Sequence, residues 1–218
     1  MTYRATLLAH LRRHPMALVG LAALWSGVAL LAHLLGGLPL PAMLAGLLVV
    51  GVAVVAAIWR VSPAAVRVTI RRRALAGLVA GLVAVVVYDA VRLAGAAIDP
   101  SPYNPLEAIR GMGRALVGAG QSPGRTFAAG MAFHVVNGAM FGLGFVGLVA
   151  GSGPRSRSSW AIRGIGWALF LEAFQLWLYP GWLGIVFVME FTYIATAAHA
   201  SYGLVLGLVS RRLLQEAP

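Results

Sequence analysis

Residues 42–59 read AMLAGLLVVGVAVVAAIW, a stretch of eighteen residues without one charged side chain. A helix needs roughly 20 mostly apolar residues to cross a bilayer. In lipid, an isolated strand would leave its backbone N–H and C=O groups unpaired, whereas a helix satisfies its own. The stretch therefore predicts a transmembrane helix, and the rest of the sequence repeats the pattern.

Similar apolar runs recur along the whole chain. Together they predict membrane spans at residues 16–36, 42–59, 74–97, 127–151, 161–179 and 183–210. Hydrophobic residues make up 60% of the 218 residues and charged residues only 11%, and a water-soluble domain could not bury that much apolar surface. We predict an all-α integral membrane protein, with a single domain over residues 1–218 that forms a six-helix transmembrane bundle. The least secure boundary is residues 180–182, which form either a turn between two spans or a re-entrant break.

The arginines orient these spans. All 17 basic residues are arginines, and the formal net charge is +11. Thirteen of them lie before span one, between spans two and three, between spans four and five, or after span six: Arg4, Arg12, Arg13, Arg60, Arg67, Arg71, Arg72, Arg73, Arg155, Arg157, Arg163, Arg211 and Arg212. The positive-inside rule makes this side cytoplasmic. We therefore predict a multi-pass protein of the bacterial cytoplasmic (inner) membrane with both termini in the cytoplasm. The lipid bilayer is its expected partner, and nucleic acid is not.

A short amphipathic helix is predicted between spans three and four, over residues 105–118. Asn104, Pro105 and Glu107 are typical of the N-cap, N1 and N3 positions at a helix start. Apolar and charged side chains then recur at helical spacing on separate faces. We expect this helix to lie on the outer membrane surface. There it is either an ordinary connecting helix or a lid over a site that opens outward.

Ionisable side chains within the apolar spans are the candidates for function. A charge at the centre of a bilayer costs at least ~2.5 kcal/mol, so such groups normally face one another, a cavity or an ion. Four of them lie seven or eight residues from the outer ends of four spans: Asp89, His134, Glu172 and Glu190. At ~1.5 Å rise per residue, all four would lie roughly 10–12 Å below the outer boundary. We predict that they share one layer as charge carriers or ligands.

Other polar side chains accompany this layer. One helical turn from its members, and expected to orient them, are Asn137, Gln175, Tyr193 and Arg92. His199 follows Glu190 by nine residues, which places it about 13 Å deeper and on roughly the opposite face of the helix. We therefore expect His199 and Tyr202 to form a secondary polar site.

Three interpretations of the layer remain open. The layer carries protons or binds a cation, as a transporter or transporter component. Alternatively, the charges are structural, and the protein is an accessory subunit that packs against a larger membrane complex or another copy of itself. In the third interpretation Asp89, His134, Glu172 and Glu190 bind a divalent metal in an oxidoreductase-like membrane metalloenzyme. The sequence contains no cysteine, no Walker loop and no Glu-x-x-His spacing, so it leans away from an enzyme.

Two spans share a short pattern. HVVNGAMFGL at residues 134–143 in span four parallels HASYGLVLGL at residues 199–208 in span six. Spans three and four are therefore candidates for a repeat of spans five and six, an arrangement known in membrane proteins. The glycines in both copies are spaced for close packing of helices.

The last span carries a resemblance. AHASYGLVLGL at residues 198–208 resembles a segment that recurs in small uncharacterised bacterial polytopic inner-membrane proteins. The resemblance is limited to this span and implies cellular location and bundle type. It implies no activity, cofactor or site residue.

Overall fold

The computed structural model describes residues 14–151 and 156–215, and all regular structure within them is helical. The helices are α1 (Pro15–Ala23), α2 (Trp25–Gly36), α3 (Leu40–Val61), α4 (Ala64–Ile98), α5 (Glu107–Val117), α6 (Pro123–Leu148), α7 (Arg157–Leu183) and α8 (Val188–Gln215). The prediction of an all-α protein is thereby confirmed. Four of the arginines used to orient the spans lie outside the described residues: Arg4, Arg12, Arg13 and Arg155.

Within the described residues, four helices are long and apolar enough to cross a membrane, namely α3, α4, α6 and α8. α1 and α2 pass the same test as a pair, bent by 43°, and would make a fifth span. α7 has 27 residues, enough for a bilayer at ~1.5 Å per residue, but Arg157, Arg163, Glu172 and Gln175 make it more polar than the others. The structure thus supports several membrane-spanning helices, while a sixth span stays a prediction.

The predicted turn at residues 180–182 is wrong. α7 continues through Pro180 and ends at Leu183. Gly184 then adopts a left-handed backbone with φ of +62°, a conformation that glycine tolerates because it lacks a Cβ atom. The chain turns there, and α8 begins at Val188 instead of residue 183. Pro180 lies in the last turn of α7, where it removes one backbone hydrogen bond without ending the helix.

The basic segment between spans two and three belongs to a helix. α4 begins at Ala64, ten residues before the predicted start at residue 74. The Arg73 guanidinium donates hydrogen bonds to the carbonyl oxygens of Val146 (2.9 Å) and Gly151 (2.8 Å). These oxygens lie at and just beyond the C-terminal end of α6, where helical carbonyls have no partner within the helix. Arg73 therefore joins α4 to the end of α6 as well as adding positive charge.

Glycines bring two pairs of helices into backbone contact. A Cβ atom on Gly81 of α4 would lie 2.6 Å from the carbonyl oxygen of Gly138 in α6. A Cβ atom on Gly164 of α7 would lie 2.0 Å from the carbonyl oxygen of Gly203 in α8. Both distances are impossible for a real side chain, so glycine is required at these crossings. The repeated sequence pattern thus makes the same kind of contact in α4–α6 and in α7–α8.

The helix predicted between spans three and four is confirmed as α5, which starts two residues later and ends one residue earlier than predicted. Asn104 accepts a hydrogen bond from the backbone N–H of Leu106 (3.0 Å), within the turn that leads into the helix. Ile109 and Met112 are buried, and α5 packs closely along α6. One face of α5 therefore belongs to the core of the bundle.

Candidate functional site

The first pair of ionisable groups joins α4 to α6. His134 Nε2 lies 3.2 Å from each carboxylate oxygen of Asp89. Arg92, one turn further along α4, donates from Nη2 to Asp89 Oδ1 (3.0 Å) and is itself buried. Asp89 therefore has a cationic partner on its own helix and an imidazole partner on the neighbouring helix. The Arg92 guanidinium thus pairs with Asp89 within α4.

The second pair joins α7 to α8. His199 Nδ1 lies 2.6 Å from Glu172 Oε2, and Glu172 is only 1% exposed. Gln175 Nε2 lies 3.0 Å from His199 Nε2, while His199 Nδ1 also lies 3.0 Å from the carbonyl oxygen of Ala195. With Gln175 as donor to Nε2, the proton of a neutral His199 resides on Nδ1, between Ala195 and Glu172.

Glu172 is deeply buried and poorly hydrogen-bonded. Despite the short approach of His199, neither carboxylate oxygen of Glu172 has a well-aligned hydrogen bond from the part of the chain that is described. The contact with His199 is therefore a close approach without hydrogen-bond alignment.

Tyr88 lies between the two pairs. Its ring centroid is 5.6 Å from that of His134 and 4.7 Å from that of His199. The Arg92 guanidinium carbon lies 5.1 Å from the Tyr88 ring centroid, within the range of a cation–π contact. Sequence reasoning missed Tyr88, although its position next to Asp89 and four residues before Arg92 was a usable signal.

The two pairs occupy equivalent positions in two helical hairpins. In each hairpin the acid lies eight residues after a packing glycine of the first helix, and the histidine lies four residues before a packing glycine of the second. The equivalent residues are Gly81, Asp89, His134 and Gly138 in α4–α6, and Gly164, Glu172, His199 and Gly203 in α7–α8. The predicted parallel between spans three–four and five–six therefore extends to the acid–histidine contacts.

A small chamber of about 50 Å³ adjoins both pairs. Both histidines line it, together with Tyr88, Arg92, Gln175 and Tyr202. Ala108 and Met112 of α5 line it as well, so the connecting helix closes part of the chamber. One water needs roughly 10–15 Å³ of volume measured in this way. The chamber is therefore polar and large enough for a few water molecules.

Glu190 and Tyr193 have different surroundings from those expected, whereas Tyr202 lines the chamber together with His199. Glu190 lies in the first turn of α8, half-buried, and does not line the chamber. The Tyr193 hydroxyl donates to Asp99, away from the two pairs. Tyr202 donates to the carbonyl oxygen of Gly138 (2.8 Å), across the interface between α8 and α6.

The late start of α8 explains why Glu190 and His199 exchange roles. Depth was counted from residue 183, whereas α8 begins at Val188, so Glu190 lies near the end of the helix. His199, two and a half turns further on, is at the depth where α7 presents Glu172. His134 and His199 therefore line the chamber, each in contact with its acid, Asp89 or Glu172, and His199 takes the place expected for Glu190.

The predicted metal ligands do not converge. Among residues 14–151 and 156–215, no group of three or more His, Asp or Glu side chains is arranged so that it could hold a metal ion. Asp89, His134, Glu172 and Glu190 are therefore not assembled into one ligand set. The geometry instead divides the ionisable groups into acid–histidine pairs.

Comparison with known protein families shows which family the chain belongs to. The DUF6789 family, described as a family of unknown function, matches residues 71–218. The chain belongs to this family. The DUF6789 region begins within α4 and contains both hairpins and both acid–histidine pairs, whereas α1–α3 precede it. No curated protein and no solved structure matches the chain.

Proposed function

We propose that the protein transfers protons within the membrane, as a transporter or a component of one, through the Asp89–His134 and Glu172–His199 pairs. The observation that carries the proposal is that both pairs flank one Tyr88 ring and adjoin one polar chamber. Carboxylates and imidazoles exchange protons readily near neutral pH. Ionisable groups at membrane depth are characteristic of proton and ion pathways.

The contacts favour protons over a larger cation. Hard metal cations such as Ca²⁺ take six to eight oxygen ligands, but each pair contains only one carboxylate. The Asp89 carboxylate already contacts Arg92 and His134, and Glu172 already contacts His199. A proton needs only one acceptor at a time, so these pairs suit it without rearrangement.

Water in the chamber would complete the route. The Tyr88 ring separates the two histidines, with centroid distances of 5.6 Å to His134 and 4.7 Å to His199. No hydrogen bond joins the two imidazoles in the part of the chain that is described; their ring nitrogens contact Asp89, Gln175 and Ala195 instead. The chamber has room for bridging waters beside both rings. We therefore place the proton path along the chamber wall past Tyr88.

We further propose six membrane crossings, with α1 and α2 together as the first and α7 as the fifth, in a bacterial inner membrane. α7 runs antiparallel to α8, because Gly164 meets Gly203 while Trp160 meets Gly207. α8 qualifies as a span, and α7 lies beside it over most of its length. The polar groups of α7 that contact α8, such as Glu172, are shielded there from lipid.

Arginine contacts support an orientation with both termini in the cytoplasm. Arg72 donates to the carbonyl oxygen of Leu214 near the end of α8 (2.6 Å). Arg163 donates to the carbonyl oxygen of Val149 just after α6 (2.8 Å). Arg73 contacts a carbonyl oxygen at the same end of α6. The three arginines therefore lie together at one end of the bundle. The positive-inside rule places that end in the cytoplasm.

Proton flux in liposomes tests the proposal. The purified protein is reconstituted with a trapped pH-sensitive dye, and a potassium gradient with valinomycin imposes a membrane potential. We expect the wild-type protein to accelerate the internal pH change, and Glu172→Gln or Asp89→Asn to lower the rate at least about tenfold, because each removes a proton acceptor. Glu190→Gln is the matched control and should retain the wild-type rate.

Folding is checked separately for every variant by its elution profile and thermal unfolding in detergent. A folded Glu172→Gln protein with the wild-type proton flux would contradict the proposed route. Absence of protein-dependent flux in the wild-type protein under the same potential would contradict proton transfer across the membrane by this chain alone.

A further inference from the structure

A second cavity, of about 200 Å³, lies beside the polar chamber between α2, α6 and α7. Its walls are almost entirely apolar, and no Asp, Glu, Arg or His lines it. Two of its lining side chains are exposed on the outside of the bundle, Val28 (46%) and Phe170 (56%). These belong to α2 and α7, so the cavity opens sideways toward the lipid.

The apolar cavity and the polar chamber meet. Asn137, Phe141, Leu171, Gln175 and Tyr179 line both. The inner end of the apolar cavity is therefore marked by two side-chain amides, beyond which lie His134 and His199. A molecule entering from the lipid would pass apolar walls first and reach hydrogen-bonding groups last. This order of surroundings fits an amphiphile that enters with its polar head foremost.

The amides determine what kind of head would fit. The Oδ1 atom of Asn137 accepts a hydrogen bond from Ser26 (2.7 Å), which leaves the side-chain NH₂ group as the part that can donate to a ligand. Gln175 is engaged with His199 (3.0 Å). A ligand oxygen that accepts a hydrogen bond therefore matches Asn137. An anionic head would enter without a cation on the cavity wall, and burial of such a charge is costly.

The size and walls of the cavity suit a single ring. An apolar cavity of about 150 Å³ in another protein holds benzene, so about 200 Å³ accommodates a substituted six-membered ring. Phe141, Phe170 and Phe174 supply aromatic surface, which packs favourably against another ring. A chain attached to the ring would leave between Val28 and Phe170 into the lipid.

We propose that this cavity binds an uncharged, membrane-dissolved lipid with a single quinone or phenol ring, whose oxygen accepts a hydrogen bond from Asn137 and whose tail extends into the bilayer. The proposal goes beyond proton transfer and does not depend on it. The Asn137 amide would hold the ring oxygen where the cavity meets the polar chamber, beside Gln175, which lines both. Few, well-placed polar groups in an otherwise apolar pocket are typical of ligand sites.

Equilibrium dialysis tests this inference by measuring how much decyl-benzoquinone binds to the full-length protein in detergent. No pH gradient is present, so the result is independent of proton flux. We expect saturable binding of one molecule per chain. Val28→Trp, which fills the mouth, should weaken binding at least about tenfold. Val49→Trp, on an exposed position of α3, is the matched control and should bind as the wild type does.

The hydrogen bond is tested by Asn137→Leu, which removes the donor at similar volume. Binding should weaken about five- to tenfold, as expected for one hydrogen bond. Ser26→Ala also removes the hydrogen bond between Ser26 and Asn137, but it keeps the Asn137 side-chain amide. Binding to this variant should therefore change less than about twofold. Decanoate, with a charged head, should bind at least about tenfold more weakly than the quinone. Non-saturable uptake of the quinone, or binding as tight as that of the wild type by the folded Val28→Trp or Asn137→Leu protein, would overturn the proposal.

Discussion

Alanine at Gly164 is expected to force α7 away from α8. The added Cβ atom would lie 2.0 Å from the carbonyl oxygen of Gly203, whereas real Cβ atoms essentially never come within 3.0 Å of another heavy atom. The two backbones must therefore separate by about 1 Å at this crossing, the difference between these distances. Both partners are backbone atoms of long helices, so no side-chain rotation relieves the clash.

The cost follows from overpacking. Extra volume in a well-packed core destabilises proteins by typically about 1–3 kcal/mol, and we expect Gly164→Ala to fall in the upper half of that range. Glu172 lies eight residues further along α7, about two helical turns. Separation of the helices would therefore also lengthen the 2.6 Å contact between Glu172 and His199.

Thermal or denaturant unfolding in detergent, followed by tryptophan fluorescence, measures this effect. Gly166→Ala is the matched control: it lies on the same helix, two residues away, and an added Cβ atom would meet nothing within 4 Å. Alanine there should be neutral or stabilise by up to about 1 kcal/mol, through helix propensity. Equal stability of the Gly164→Ala and Gly166→Ala proteins would refute the packing argument.

Two further predictions concern the buried pair and the topology. A double-mutant cycle with Glu172→Gln and His199→Gln measures the coupling between these two side chains. The double variant should lose less stability than the sum of the two single losses, by roughly 0.5–3 kcal/mol, as for residues in direct contact. Strictly additive losses would show that the 2.6 Å contact carries no coupling energy. The chain contains no cysteine, so single introduced cysteines report the membrane topology directly. Ala64→Cys should react with an impermeant maleimide only after the cytoplasmic side is opened, whereas Gly118→Cys should react in intact cells. Labelling of both cysteines from the same side would contradict the proposed crossings.

Helical class and membrane character could be predicted because both depend on local composition. A run such as residues 42–59 must keep its apolar side chains away from water and pair all of its backbone groups. Only a membrane-spanning helix does both. The corresponding helix α3 spans Leu40–Val61, close to the prediction. Span counts were less secure, because α7 combines a long helix with several polar side chains.

Helix ends were predicted less well than helix existence. The sequence predicts a helix end before Pro180, whereas α7 continues past it to Leu183. A proline so near the end of a helix removes only one backbone hydrogen bond, and the chain turns instead at Gly184, which adopts a left-handed backbone. Because α8 begins at Val188 instead of residue 183, the membrane depths counted from residue 183 are wrong as well. Glu190 was predicted in the polar layer for this reason, and His199 was predicted outside it.

The sequence by itself determined that acids and histidines lie within apolar helices, and that Gly138 and Gly203 each follow a histidine by four residues. Only the tertiary structure decided that His134 contacts Asp89 and His199 contacts Glu172. The physical reason is that each residue turns the direction of a side chain by about 100° around a helix. Which groups meet therefore depends on where helices cross, and these crossings are set by backbone contacts between glycines far apart in the chain.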